Sequence, residues 1–304
     1  MSDSSTTLLV GAGYVGTALA RELARRHVAC EAVVTSKASA ERLHTAGIPC
    51  RRIDLDSGTA FDLPSVTQIV YLVPPKRSIE TDIRLKLFLQ RLPASVKALL
   101  YVSTSGVYGD QNGKLIDEST LPSPHSARAR RRVDAENQIQ RYCNTHKINW
   151  IIARVPGIYG PGRMPLKSLK EGRPIIRESE SNPGNRIHRD DLARSLADLL
   201  EHAKNGRLGD NRTIGEVFNA GDNNHMNGSR FTLEVARLAN LKAPPQISRA
   251  EMKAAASSVR WSFLAESRRL NSDKLHGLLS QPMQYLNPLD GIRASLEEAE
   301  DPAA

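Results

Sequence analysis

Short apolar runs alternate along the first half of the chain with stretches whose apolar residues recur every three or four positions. Runs near residues 7–10, 29–34, 50–53, 68–73, 98–103 and 150–154 read as strands. The stretches near 14–26, 38–46, 81–92 and 128–146 read as helices. Lys97-Ala98-Leu99-Leu100-Tyr101-Val102 has the pattern of a buried strand, short and apolar and followed by polar turn residues. Strand and helix in alternation predict an α/β fold with a doubly wound parallel sheet.

The texture changes after Arg154. Pro156, Gly157, Gly160, Pro161, Gly162 and Pro165 mark a loop-rich stretch. A helix with an acidic start is expected over 190–200, a strand and turn over 216–221, and an amphipathic helix over 231–240. The acidic tail, 297–304, is expected to fray. The division that follows is a nucleotide-binding unit over 1–155 and a smaller substrate lobe over 156–304, with 186–225 returning to the main sheet.

The first strand leads directly into Gly11-Ala12-Gly13-Tyr14-Val15-Gly16. Strand, glycine turn and helix in that order open a dinucleotide-binding α/β unit, with Tyr14 and Val15 in the helix's first turn. Gly11 permits the tight turn, Gly13 lets backbone approach a pyrophosphate, and Gly16 lets helix and strand pack closely. The free N–H groups at the helix start favour an anion.

Composition narrows the setting. The 304 residues are 40% hydrophobic and 25% charged, as in a globular protein. The first residues lack the pattern of a signal peptide, and no apolar run approaches a membrane span. Three scattered cysteines, Cys30, Cys50 and Cys143, suit neither a disulfide framework nor a metal site. A cytoplasmic protein without a metal is expected. The net charge of +9 is spread widely with few aromatics, so an anionic small molecule fits it better than nucleic acid.

Five segments in order resemble the extended short-chain dehydrogenase/reductase family, in its NAD-dependent epimerase/dehydratase branch and atypical relatives. They are the glycine turn; Asp54-Leu55; the stretch from Tyr101 to Gly109; the stretch from Ala153 to Gly162; and the stretch from Asn185 to Ala193. The resemblance covers roughly residues 7–225. It implies a Rossmann-type domain with a smaller C-terminal lobe and a cofactor across the carboxyl ends of the strands. It implies that Asp54 and Leu55 border the adenine, and that Val73 and Pro74 underlie the ribose and nicotinamide. Ser103 and Pro156 join the cofactor site on the same ground. Thr104 matches the family's substrate-binding hydroxyl, with Ser105 beside it.

The second strand runs out into Val33-Val34-Thr35-Ser36-Lys37 with no carboxylate at its tip. Ser36 and Lys37 suit a 2′-phosphate, which favours NADP over NAD. The family's Tyr-x-x-x-Lys pair is absent. Aligned on Ala135-Glu136, Arg128 stands at the tyrosine position and Arg132 at the lysine position. Arg132 retains the means to bond a ribose or phosphate, whereas Arg128 cannot replace a phenol. Tyr108, Tyr159 and His188 are the other titratable candidates. Arg128, Arg131 and Arg132 share a helix face, either solvated and paired to Asp134 and Glu136, or turned into the cleft to hold phosphate or carboxylate. Arg128, Tyr159, Arg163, Arg186 and His188 are the expected substrate contacts. Two readings stay open: an NADP-dependent oxidoreductase or epimerase-like enzyme, monomer or homodimer, and a non-catalytic NADP(H) sensor.

Overall fold

The computed structural model describes residues 6–57, 61–76, 81–205 and 215–300. Seven strands form the central sheet: β1 (Thr7–Val10), β2 (Cys30–Val34), β3 (Cys50–Arg52), β4 (Gln68–Tyr71), β5 (Ala98–Thr104), β6 (Asn149–Val155) and β7 (Gly215–Asn219). They lie in the order β7-β6-β5-β4-β1-β2-β3, and every neighbouring pair is parallel. The chain reverses its direction of travel across the sheet between β1 and β4, which opens a crevice at their carboxyl ends.

Alternation along β1 explains the two layers. Leu9 joins one core with Leu19 and Leu23 of helix α1 (Tyr14–Arg25) and Leu192 and Leu196 of a later helix. Leu8 and Val10 point the other way, toward Phe88, Ala135 and Ile139. Successive strand side chains face opposite sides, so a continuous apolar run requires cover on both. The first layer comprises α1, α2 (Lys37–Thr45) and α5 (Arg189–Asn205); the second comprises α3 (Ile83–Leu89) and α4 (Ala127–His146). Ser36, Asp82 and Ser126 cap α2, α3 and α4 by accepting a backbone N–H.

The helix expected over 81–92 is therefore shorter than its apolar pattern. Asp82 starts it one residue later as a cap, and turn hydrogen bonds carry the chain out at 90–92. β7 returns to the edge of the main sheet beside β6.

The second lobe is built from helix α6 (Gly228–Leu238), two short helices, α7 (Arg249–Ala255) and α8 (Ser258–Leu264), and a terminal helix α9 (Pro288–Glu300). Tyr159, Leu169, Phe231, Val235 and Ile292 form its core. Two two-stranded parallel pairs lace it together, Gly157–Tyr159 with Arg186–His188 and Ile175–Ile176 with Gln246–Ile247, and a third ties Arg269–Leu270 to Leu115–Ile116 of the first half. Of the stretch expected to fray, 297–300 are helical, and Arg189 pairs with Glu298 at 2.9 Å. Residues 301–304 of that stretch lie outside the described residues. Among the described residues no helix is long and apolar enough to cross a membrane.

Candidate active site

The glycine turn sits at the crevice between β1 and β4. Gly11 has φ +86°, and a Cβ there would lie 2.6 Å from Val73 Cγ2. Glycine is thus required both for the backbone angle and for the close approach. A Cβ on Gly16 would come within 3.2 Å of Ala12 Cβ. Gly13 differs: a Cβ there would meet no protein atom nearer than the Gly11 carbonyl at 4.0 Å, so the space above it is open. No side chain caps α1, which leaves the first-turn donors of Tyr14, Val15 and Gly16 for a ligand. An open cradle beside uncapped donors fits a dinucleotide's pyrophosphate.

Val10, Gly11, Val33, Thr35, Asp54, Leu55, Asp56, Val73 and Arg84 enclose a cavity of about 70 Å³ next to the turn. Asp54 and Leu55, which the resemblance assigns to the adenine, are among its lining residues. Arg84 grips Asp56 with two nitrogens and the Pro74 carbonyl with a third, Nη1 at 3.1 Å. Lys76 joins Asp56 at 2.9 Å, and the two cations pull its carboxyl down to about 2. These contacts fix the segment that follows β4. At the tip of β2, Arg42 Nη2 donates to Ser39 Oγ at 3.0 Å, and Ser36 Oγ and Ser39 Oγ lie 2.8 Å apart. Lys37 is exposed and 3.7 Å from Glu41. Glu31, inside β2, is held by Arg51 at 2.5 Å.

At the end of β5 the hydroxyls diverge. Thr104 Oγ1 accepts the Gly106 N–H at 3.3 Å and starts a 3₁₀ turn, Ser105–Tyr108. Ser103, expected at the cofactor, instead donates to Glu136 Oε1 at 2.5 Å in the core. Glu136 is in turn paired with Arg154 at 2.8 Å, the two side chains being only 2% and 6% exposed. The Arg154 guanidinium lies 4.8 Å from the Tyr108 ring centre. The Tyr108 phenol donates to Asn219 Oδ1 at 2.8 Å and is wholly buried, which raises its pKa. Tyr108 and Ser105 are therefore packed beneath the strand end, buried from solvent.

Helix α4 turns Arg128 and Arg132 inward and leaves Arg130 exposed. Arg132 Nη1 bonds the Tyr101 phenol at 2.8 Å and the Val102 carbonyl at 3.0 Å, against the flank of β5. Arg128 lies flat over Phe263 of α8, 3.6 Å from the ring centre. The pairing to Asp134 and Glu136 does not form. Asp134 accepts from Asp82 N–H and Gln138, and Glu136 is taken by Arg154.

In the second lobe the expected substrate contacts are largely interior. Arg186 donates to the Met226 carbonyl at 2.5 Å and stacks on Phe231; burial draws its pKa down to about 10. Tyr159 is buried among His188 and Phe231. His188 Nδ1 accepts the Asp190 N–H at 3.2 Å, and its Nε2 lies 3.1 Å from Ser295 Oγ. The Ser295 hydroxyl already donates to the Gly291 carbonyl, so Nε2 carries the proton and the ring is neutral, in line with its lowered pKa. Sequence patterning could not foresee this burial, because an aromatic or cation in a loop reads alike inside or outside.

The residues from β1 to the turn after β7 match one family model, residues 7–221, whose description is NAD dependent epimerase/dehydratase family. The chain belongs to that family. Relatives include dTDP-D-glucose 4,6-dehydratase of Bos taurus and of Homo sapiens, each 24% identical over 219 residues. The alignments cover 67% of this chain and little more than half of the relatives, 56% and 57%. A functionally unknown conserved protein from Silicibacter pomeroyi DSS superposes with a TM-score of 0.81 at 28% identity, covering 98% of this chain and all of the other. UDP-glucuronic acid 4-epimerase from Bacillus cereus, in complex with NAD, superposes at 0.74 with 17% identity over 97% of this chain and 100% of the other.

One interior acid of this family member has no sequence pattern to mark it. Asp222 follows β7, is 3% exposed, and has one carboxylate oxygen without a partner. Burial pushes its pKa up to about 7, from an ordinary 3.8. The folded protein thus keeps a proton that the unfolded chain releases, and stability falls as pH rises from about 4 to about 7. Asp222→Asn retains an oxygen for the Asn224 N–H and does not titrate. We expect it to flatten the stability profile over that window and to gain roughly 2–4 kcal/mol at pH 8. Denaturant melts at several pH values check this; parallel profiles for the two proteins would refute it.

Proposed function

We propose that the protein binds NADP(H) along the carboxyl edge of its sheet and acts as an oxidoreductase or epimerase-like enzyme on a carbonyl or alcohol of a small, nucleotide-sugar-like substrate. The observation that carries this reading is the glycine turn, open above Gly13 and uncapped at α1, set at the sheet's crevice. The bound nicotinamide would supply hydride transfer. Tyr14 and Val15 would offer N–H groups to the pyrophosphate, and Gly11, Asp54, Leu55, Val73 and Pro74 would border the adenosine and ribose. The linked Ser36, Ser39 and Arg42, with Lys37 beside them, favour a 2′-phosphate and hence NADP. The scattered free cysteines support a cytoplasmic setting.

Thr104 accepts a backbone N–H, so its own proton is left to donate to a substrate oxygen. Thr104→Val is expected to lower kcat/KM by about a hundredfold while leaving cofactor affinity intact. Equal turnover by the variant would remove Thr104 from the site. The defining test is a fluorescence titration with NADPH and NADH, followed by sugar nucleotides and simple carbonyls. Tighter NADPH binding with loss of signal on one substrate supports the reading; failure to bind either cofactor overturns it.

Arg128 and Arg132 favour a second reading, a non-catalytic NADP(H) sensor. Guanidinium stays protonated at any working pH, so neither residue can pass a proton. NADPH binding without turnover across the panel would select it.

A further inference from the structure

Arg163, expected among the substrate contacts, packs against the start of α1. Its guanidinium carbon lies 4.0 Å from the ring centre of Tyr14, the first residue of α1. The Tyr14 phenol donates to the Pro161 carbonyl at 2.9 Å, and the Arg163 N–H donates to the Gly160 carbonyl at 3.0 Å. A Cβ on Gly160 would sit 2.6 Å from the Tyr14 phenol oxygen. The turn 160–163 is thus fastened to the start of the very helix that presents open N–H groups. Arg163 itself is exposed, and no carboxylate lies within ion-pair distance among the described residues.

We propose that Arg163 binds the cofactor rather than the substrate, and that its guanidinium closes over the pyrophosphate from the side opposite the α1 donors. This rests on the dinucleotide reading above. Ring stacking presets the planar fork, so little freedom is lost when it meets phosphate oxygens. A helix start supplies partial charge and N–H donors, but a doubly charged pyrophosphate also needs a full cation. Arg163 is the cation whose position, stacked on the helix's first side chain, provides one.

The test uses the full chain. NADPH affinity is measured by fluorescence in the unsubstituted protein and in Arg163→Gln and Arg163→Lys, and adenosine 2′-monophosphate is titrated as a competitor. The competitor carries the adenine and the 2′-phosphate but no pyrophosphate. Arg163→Gln should raise the NADPH dissociation constant about tenfold to a hundredfold. Arg163→Lys should fall between, and competitor affinity should be the same in all three. An unchanged NADPH constant overturns the proposal, and so does an equal loss for NADPH and competitor, which would mark a role in shaping the turn. If the unsubstituted protein binds no cofactor at all, the dinucleotide reading falls and takes this inference with it.

Discussion

Glu136→Gln is expected to destabilise the fold by about 3–5 kcal/mol, the range seen when one partner of a buried ion pair is removed. Glutamine has nearly the same shape and can still accept from Ser103. What it cannot do is balance the Arg154 guanidinium, which is 6% exposed and has no water to turn to. The charge is wedged between α4 and β6 and rests on Tyr108, whose phenol reaches β7 through Asn219. One substitution should therefore loosen the carboxyl ends of three neighbouring strands. A melting temperature lower by roughly 6–20 °C would follow. Replacing both partners, Glu136→Leu with Arg154→Met, should cost less than the single change, because no charge is then stranded. Thermal and urea denaturation of the three variants decide the matter. A loss below about 1 kcal/mol for Glu136→Gln would mean that the charge finds solvent after all.

Gly13→Ala should do the reverse, sparing the fold while abolishing tight cofactor binding. The new methyl meets nothing of the protein within 4.0 Å, so the melting temperature should hold. It stands, however, where backbone must come up against a pyrophosphate. A loss of about 3 kcal/mol, roughly a hundredfold in NADPH affinity, is expected. Gly11→Ala is the contrast: φ +86° and the 2.6 Å approach to Val73 predict that stability and binding fall together. If Gly13→Ala binds NADPH as the parent does, the ligand does not sit over this turn.

Much of the first half was legible because its elements are long, periodic and buried. Six strands and the glycine turn stand where their apolar runs place them, and α4 differs by one residue. The two-residue strands Ile175–Ile176 and Gln246–Ile247 carry no period to detect, and only their mutual pairing makes them strands. The site was harder still. Arg84 with Asp56, and Glu136 with Arg154, are partners made by tertiary folding, and single charged residues in a sequence do not announce their mates. Arg42 lies in the body of α2, and only its hydrogen bond to Ser39 links it to Ser36 at the end of β2. The contact of Arg163 with Tyr14 was hidden because the two lie 149 positions apart in the chain. The packing of Tyr108, Tyr159 and Arg186 was equally hidden: each lies against a ring, cation or carbonyl from a distant part of the chain.

The double engagement of Tyr14 bears on how such proteins can be recombined. Its backbone belongs to the nucleotide-binding half, while its phenol and ring belong to a loop of the other half. A chimera that joins this first half to the second lobe of a relative would carry a tyrosine with no carbonyl to meet, or a loop with no ring to lie on. Such grafts should fail at this seam even where both parents are stable, and recover when residue 14 and the 160–163 turn are transplanted as one unit.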